Sequence, residues 1–288
     1  MDHLSSYEYL LAIAGFDTKQ KAKITSFDFK PQSNHQLIFL TMTKAVILAA
    51  GLAQRLKPIT NYTPKSLLKI GNKTILGMTL ESLSENQISE IVIVVGFEAA
   101  QIQQYVRKNY PQLSIEFVYN AEYEFTNNAY SLLLTQKALE GHSLLLLDGD
   151  IVFDSLILKK LLLCEEENTL AFNKAHKNFL TSEEIKVRLT QDNYIIEISK
   201  DIKPILATGE SVGIHRFSEP TTHMLYHILH QQIHQQHQMD EFYESAFEEL
   251  IHQGEKIYAM DIAPYNSMEI DTEADWHAAN KFVNIHIY

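Results

Sequence analysis

The stretch Lys44-Ala-Val-Ile-Leu-Ala-Ala-Gly-Leu-Ala-Gln-Arg-Leu-Lys-Pro-Ile-Thr-Asn-Tyr-Thr-Pro-Lys65 decides how this chain is read. It opens with an apolar run over 45–50, of the length and β-branched character of a strand buried on both faces. At Gly51 the run turns into a loop that carries Arg55, Lys57 and Lys65. Loops leaving the carboxyl edge of an open parallel sheet are where ligands bind, and three cations there suit phosphates. An ordinary strand-to-helix turn with solvated surface cations is the plainer reading of the same residues.

Working outward, the segments alternate. A helix is predicted over 75–83, then the apolar run Ile91-Val-Ile-Val-Val95, a helix over 99–110 stopped by Pro111, a strand over 115–119 and a helix over 128–139. A third apolar run, Leu144-Leu-Leu-Leu147, ends in Asp148-Gly-Asp150. Such alternation predicts a parallel sheet covered by helices on both faces across 44–165. The second half differs. Runs over 185–189 and 194–198 flank Gln191-Asp-Asn193 as a hairpin, and a strand over 211–217 follows. Helices are then expected over 219–236 and 240–253, a strand over 256–262 and a last helix from Thr272. The expected fold is α/β: a three-layer αβα, Rossmann-like, mostly parallel sheet with a small antiparallel section, in one domain over 42–288. Residues 1–41 read as an N-terminal extension without catalytic role, or as an upstream read before Met42. Within them 7–13 could form a helix, and 27–35 reads as loop.

Bulk properties narrow the function. The 288 residues are 45% hydrophobic and 21% charged, an ordinary soluble composition, and no apolar run approaches the roughly 18 residues of a membrane span. The N-terminus lacks the pattern of a signal peptide, and the one cysteine, Cys164, cannot form an internal disulfide, so a cytoplasmic location is expected. Leu161-Leu-Leu before Cys164 and three glutamates after it mark that thiol as a small hydrophobe. With 36 acids against 24 Lys and Arg, the net charge of −12 repels polyanions, which argues against nucleic acid and membrane as partners. A nucleotide remains compatible if cations gather locally and a divalent metal shields the rest.

Two acid pairs supply the metal side. Asp148-Gly-Asp150 ends an apolar strand, and Glu269-Ile-Asp271 lies more than a hundred residues later. Acids at i and i+2 on a strand share a side, so Glu269 and Asp271 are expected to converge on one metal. Mg²⁺ takes one or two carboxylates together with phosphate oxygens and waters. Solvated strand ends are the alternative. His223, His227, His230, His234 and His237 share one helix face, read as solvated because an apolar stripe runs beside it. Trp276 is read as packing.

The opening loop is neither a P-loop nor G-x-G-x-x-G, since position 53 is Ala. Leu48-Ala-Ala-Gly51, Arg55-Leu56, Pro58-Ile-Thr60, Pro64-Lys65 and Leu67-Leu-Lys-Ile-Gly71 resemble the signature of the nucleotidyltransferases that couple a nucleoside triphosphate to a small phosphate ester. Ala53 stands where that signature has its second glycine; its methyl group disfavours φ > 0. The segment Asn127-Asn-Ala-Tyr-Ser-Leu132 is similar to the branch that makes CDP-choline or CMP-aminoethylphosphonate. Ser199-Lys200-Asp-Ile and Gly209-Glu-Ser-Val-Gly-Ile214 look like later motifs of that branch. Together the matches span about 44–275.

The resemblance implies a nucleotide-diphospho-sugar transferase type of fold and a Mg²⁺-dependent cytidylyl transfer from CTP to phosphocholine or 2-aminoethylphosphonate. Asp150 and Asp271 would bind Mg²⁺, with Glu269 as helper and Asp148 less firmly placed. Leu48, Ala49, Ala50, Gly51, Asn120, Asn127, Asn128 and Ser131 would line the nucleotide site. Arg55 would steady pyrophosphate and Lys65 the α-phosphate. Lys200, Glu210 and Tyr130 would meet the acceptor. The asparagines also suit a helix N-cap, with Thr126 or Asn127 as the cap. A quaternary ammonium would want aromatic faces, for which Phe125, Tyr130, Tyr194, Phe217 and Tyr265 are candidates, most rings of the chain being core. The alternatives are a sugar-1-phosphate nucleotidyltransferase on the same scaffold and a catalytically silent nucleotide-binding regulator. Base choice stays open, and a homodimer is compatible with the sequence.

Overall fold

The computed structural model describes residues 42–174 and 180–285, so the expectations for 1–41 lie outside the described residues. In chain order the first half comprises β1 (Thr43–Ala49), the ribbon β2 (Lys69–Ile70) and β3 (Lys73–Thr74), α1 (Ile75–Glu85), β4 (Glu90–Val95), α2 (Ala99–Asn109), β5 (Ser114–Tyr119), α3 (Asn128–Leu133), β6 (Ser143–Asp148), β7 (Ile151–Phe153) and α4 (Ser155–Leu162). The second half comprises β8 (Thr169–Asn173), β9 (Lys186–Leu189), β10 (Ile195–Ser199), β11 (Gly209–Phe217), α5 (Glu219–His230), α6 (Glu244–His252), β12 (Tyr258–Asp261), β13 (Ser267–Glu269) and α7 (Glu273–Ile285).

The main sheet runs β10-β9-β11-β6-β1-β4-β5, with β8 pairing β11 and carrying β12 beyond it. Strands β6, β1, β4 and β5 are parallel. Strand β1 lies between β4 and β6, so the chain winds outward on one side and then returns to the other. That reversal opens a crevice at the carboxyl ends of β1 and β6, where open α/β sheets bind ligands.

The continuous apolar strands follow from burial on both sides. Val46, Val92, Val94, Leu144 and Leu146 face one layer, packed with Leu132 of α3, Leu225 of α5 and Phe247 of α6. Their neighbours Ile47, Ile91, Ile93, Leu145 and Leu147 face the other, with Leu80 of α1, Ile102 of α2 and Leu161 of α4. Period-two alternation thus feeds both layers from one strand. A third, smaller core joins Leu56, Leu68, Ile70, Ile75, Met78, Val152, Ile270 and Ala279. Trp276 packs on it and donates its indole N–H to the Lys69 carbonyl.

The three-layer sheet and the hairpin are as expected. Strand β8 was not foreseen, and β12 runs parallel to it, so the second half is mixed rather than antiparallel throughout. The predicted helix over 128–139 stops at Leu133, where Thr135 bonds back to the Leu132 carbonyl and across to the Tyr226 hydroxyl. Likewise α6 begins only at Glu244, leaving 240–243 as a turn. The five histidines are exposed, and His230 and His234 sit ring to ring. Among the described residues no helix is long and apolar enough to cross a membrane.

Candidate active site

A cavity of about 810 Å³ opens at the carboxyl ends of β1 and β6. Its floor depends on two glycines. A side chain at Gly149 would meet the Leu48 carbonyl at 2.3 Å, so the turn after β6 can lie against β1 only without one. Gly213, at φ +71°, bends β11 where a Cβ would stand 2.5 Å from Asp148 Oδ2. The loop after β1 crosses the cavity with Ala53 in the left-handed region (φ 47°, ψ 50°), the conformation its methyl group disfavours. The Ala53 carbonyl accepts from Leu56 N and from the Thr60 hydroxyl, which fixes that strained residue.

Charge gathers at one part of this cavity. Asp150, Glu269 and Asp271 bring carboxylate oxygens within 4.8 Å of one another. Two local devices converge them. The Ile270 amide donates to the Asp150 carbonyl, and β13 pairs with β7 so that Glu269 faces Ile151. Asp271 lies beyond the strand, so strand alternation is not what aims it. Thr272 and Asp275 form a reciprocal cap on α7: Asp275 Oδ2 accepts from the amides of Asp271 and Thr272, and Thr272 Oγ1 accepts from the Asp275 amide.

The cations already engage these acids. Lys65 Nζ lies 2.6 Å from Asp150 and 2.7 Å from Asp271, and Arg55 Nη2 lies 2.6 Å from Asp271. Arg55 also reaches Glu183 at 3.5 Å. Burial opposes the Lys65 charge, but Asp150 and Asp271 outweigh it and hold its pKa above the ordinary lysine value. Burial likewise works against ionised Asp271, yet Lys65 and then Arg55 keep its pKa low. Glu269 moves the other way, raised by desolvation of its carboxyl group and then by the charges of Asp150 and Asp271. Asp148 turns away from this trio. Its Oδ2 accepts from the Tyr243 hydroxyl, and burial, followed by Asp150 and Glu244, pushes its pKa well up. Since Tyr243 donates to Asp148, His215 Nε2 donates to Tyr243, leaving a neutral imidazole whose pKa burial lowers to about 3.

A second grouping lies on the mixed half of the sheet. Lys200 holds its ammonium 4.3 Å from the centre of the Phe242 ring. Glu244 is 4% exposed, and burial pushes its pKa up to about 7. Helix α3 anchors this wall: Asn128 Oδ1 accepts from the Tyr243 amide, and the amides of Asn127 and Ala129 donate to the carbonyls of Met239 and Glu241.

Of the residues expected at the site, Leu48, Ala49, Ala50, Gly51, Arg55, Lys65, Asn120, Asn127, Asn128, Ser131, Asp150, Lys200, Glu210, Glu269 and Asp271 all line the cavity. Tyr130 does not; it packs against the core beneath α3. Phe125, Tyr194, Phe217 and Tyr265 are also absent from the lining. Phe125 is exposed, Phe217 is core, Tyr194 stands edge-on to Tyr258, and Tyr265 packs beneath the sheet. The asparagines are largely structural. Asn120 donates to Thr126 and Ser131 and accepts from Glu122, while Asn127 caps α3. Sequence reasoning missed Phe242, Glu244, Tyr123, Ser66 and Asp275. Only Asp275 left a signal, the T-x-x-D spacing of a helix start.

Residues 44–178 match the family model described as nucleotidyl transferase. Two curated relatives show what the chain is similar to. A choline-phosphate cytidylyltransferase of Streptococcus pneumoniae is 40% identical over 96 residues, which cover 33% of this chain and 40% of the relative. A CMP-5'-(3-aminopropyl)phosphonate synthase of Streptomyces rubellomurinus is 32% identical over 131 residues, 46% of this chain and 21% of the relative. The matched stretch thus spans less than half the length of either relative. A solved CTP:phosphocholine cytidylyltransferase from Streptococcus pneumoniae shares the fold, with a TM-score of 0.67 at 21% identity over 84% of this chain and 99% of that one.

Proposed function

We propose that residues 42–288 form one cytidylyltransferase domain that joins CTP to a small phosphorylated amino alcohol or a phosphonate and releases pyrophosphate. The observation that carries this reading is the juxtaposition of Asp150, Glu269 and Asp271 with Lys65 and Arg55 in one crevice. The names of the two relatives support the nucleotide and the kind of acceptor. Three converging carboxylates are an all-oxygen donor set that fits Mg²⁺, which Asp150, Asp271 and Glu269 would hold. When bound, the ion supplies neutralisation of phosphate charge at the reacting end of the triphosphate.

An acceptor oxygen, already anionic, bonds to the α-phosphorus as the bond to the α–β bridging oxygen breaks. Pyrophosphate leaves with that electron pair, so no strong general base is required. Catalysis rests on in-line placement and charge neutralisation. Lys65 leaves Asp150 and Asp271 for the α-phosphate, and Arg55 leaves Asp271 for the departing pyrophosphate. Lys200 meets the acceptor's phosphate. A pyrophosphate-release screen tests this, crossing four nucleoside triphosphates with phosphocholine, phosphoethanolamine, 2-aminoethylphosphonate and sugar 1-phosphates in the presence of Mg²⁺. Turnover with CTP and an amine-bearing acceptor is expected; turnover with sugar phosphates alone overturns the reading.

A further inference from the structure

Glu244 is a buried acid that the transfer chemistry does not use. It lines the cavity, it is 4% exposed, and its Oε2 has no hydrogen-bond partner among the described residues. A buried carboxylate oxygen left unpaired is costly, and a chain does not keep one at a ligand cavity without compensation. Two neighbouring donors are already engaged elsewhere. The Tyr243 amide is tied to Asn128 and its hydroxyl to Asp148. The nearest protein cation, Lys200, stands on the Phe242 ring, which shows that an ammonium is accommodated on this wall. Ser211 Oγ is a further unpaired polar atom lining the same cavity.

We propose that Glu244 selects an acceptor whose far end is an amine carrying N–H bonds, and discriminates against one whose amine is fully alkylated. The inference rests on the nucleotidyltransferase reading above and narrows its acceptor. A protonated primary amine offers both a charge and a hydrogen-bond donor to Oε2. A trimethylammonium offers charge without a donor, leaves that oxygen unsatisfied and relies on several aromatic faces. The aromatic side chains lining the cavity among the described residues are Tyr123 and Phe242, and Lys200 already covers one face of Phe242.

Calorimetric titration of the full chain, with Mg²⁺ and a non-hydrolysable CTP analogue, compares 2-aminoethylphosphonate with its N-trimethyl counterpart. The primary amine should bind about tenfold or more tightly, the value of a hydrogen bond to a charged group. In Glu244→Gln the preference should fall to about twofold or less, since the amide keeps the shape but loses the charge. Equal or tighter binding of the trimethyl compound by the unaltered protein overturns the proposal, as do binding of neither compound and a preference that survives in Glu244→Gln. Thermal unfolding of the variant checks its folding; if it fails to fold, the discrimination by the unaltered protein decides. Pyrophosphate release from CTP with a trimethylated acceptor as the better substrate would sink this inference while leaving the cytidylyltransferase reading intact.

Discussion

The two charged groupings of the cavity balance their charges in opposite ways. Around Asp271 every ionised group has a partner within the chain: Lys65 bridges two acids and Arg55 closes on one of them. Around Glu244 the carboxyl group is buried and one oxygen is left over. The first grouping is built to exchange partners, since each internal ion pair can be traded for a phosphate or a metal at little net electrostatic cost. The second is built to gain a partner it lacks. On the proposed reading, the first region meets the triphosphate, whereas the second tests the chemistry of the acceptor.

Four substitutions break or sharpen that contrast. Asp271→Asn removes the acid that both cations share, and it should lower kcat by about a thousandfold or more in a pyrophosphate-release assay. Near-normal turnover would show that the exchanging cluster is not the reaction centre. Asp275→Ala leaves every member of the cluster in place but undoes the cap that aims Asp271. About a tenfold to hundredfold fall in kcat/KM is expected, with a raised Mg²⁺ requirement, because the loss acts through a supporting contact.

Asp154 is a buried acid outside the cavity and provides the control for Glu244. It caps α4 by accepting from the Leu156 amide, and burial raises its pKa to about 6. A carboxyl group whose pKa is higher folded than unfolded favours the fold below its unfolded value of about 4 and loses that benefit as pH rises through about 6. Chemical unfolding of Asp154→Asn and the parent should therefore diverge in the variant's favour by about 2 kcal/mol between pH 4 and pH 7.5. A gap independent of pH would mean the carboxyl group is not desolvated. The smallest effect is expected of Ala53→Gly, which relieves a left-handed alanine but loosens the unfolded chain. Its stability should change by about 1 kcal/mol or less in either direction, read from the same unfolding curves.

The contrast also explains what could be read in advance. The parallel half was legible because strands such as Ile91–Val95 and Leu144–Leu147 must be apolar on both faces, and that leaves a continuous run in the sequence. Lys65, Asp150 and Asp271 were legible because they follow such strands or sit in a dense motif. Glu244 and Phe242 were not. They belong to a turn held by Asn128, more than a hundred residues away, and nothing in the local sequence records that contact. Strand β8 was overlooked because Thr169-Leu-Ala-Phe-Asn173 is short and reads equally as loop. The aromatic candidates were misplaced for a related reason: most large rings are needed between sheet and helices, and a ring's presence does not reveal which side of a strand it leaves.

The small third core, in which Leu56, Val152 and Ile270 meet, has a bearing on descent. It clamps the cation loop, the turn after β6 and the segment before α7 to one another, apart from the two large layers of the sheet. Drift within those layers can therefore reshape the acceptor wall while the charged cluster keeps its spacing. On the proposed reading, a lineage equipped in this way can change what it decorates with a nucleotide and inherit the transfer chemistry unaltered.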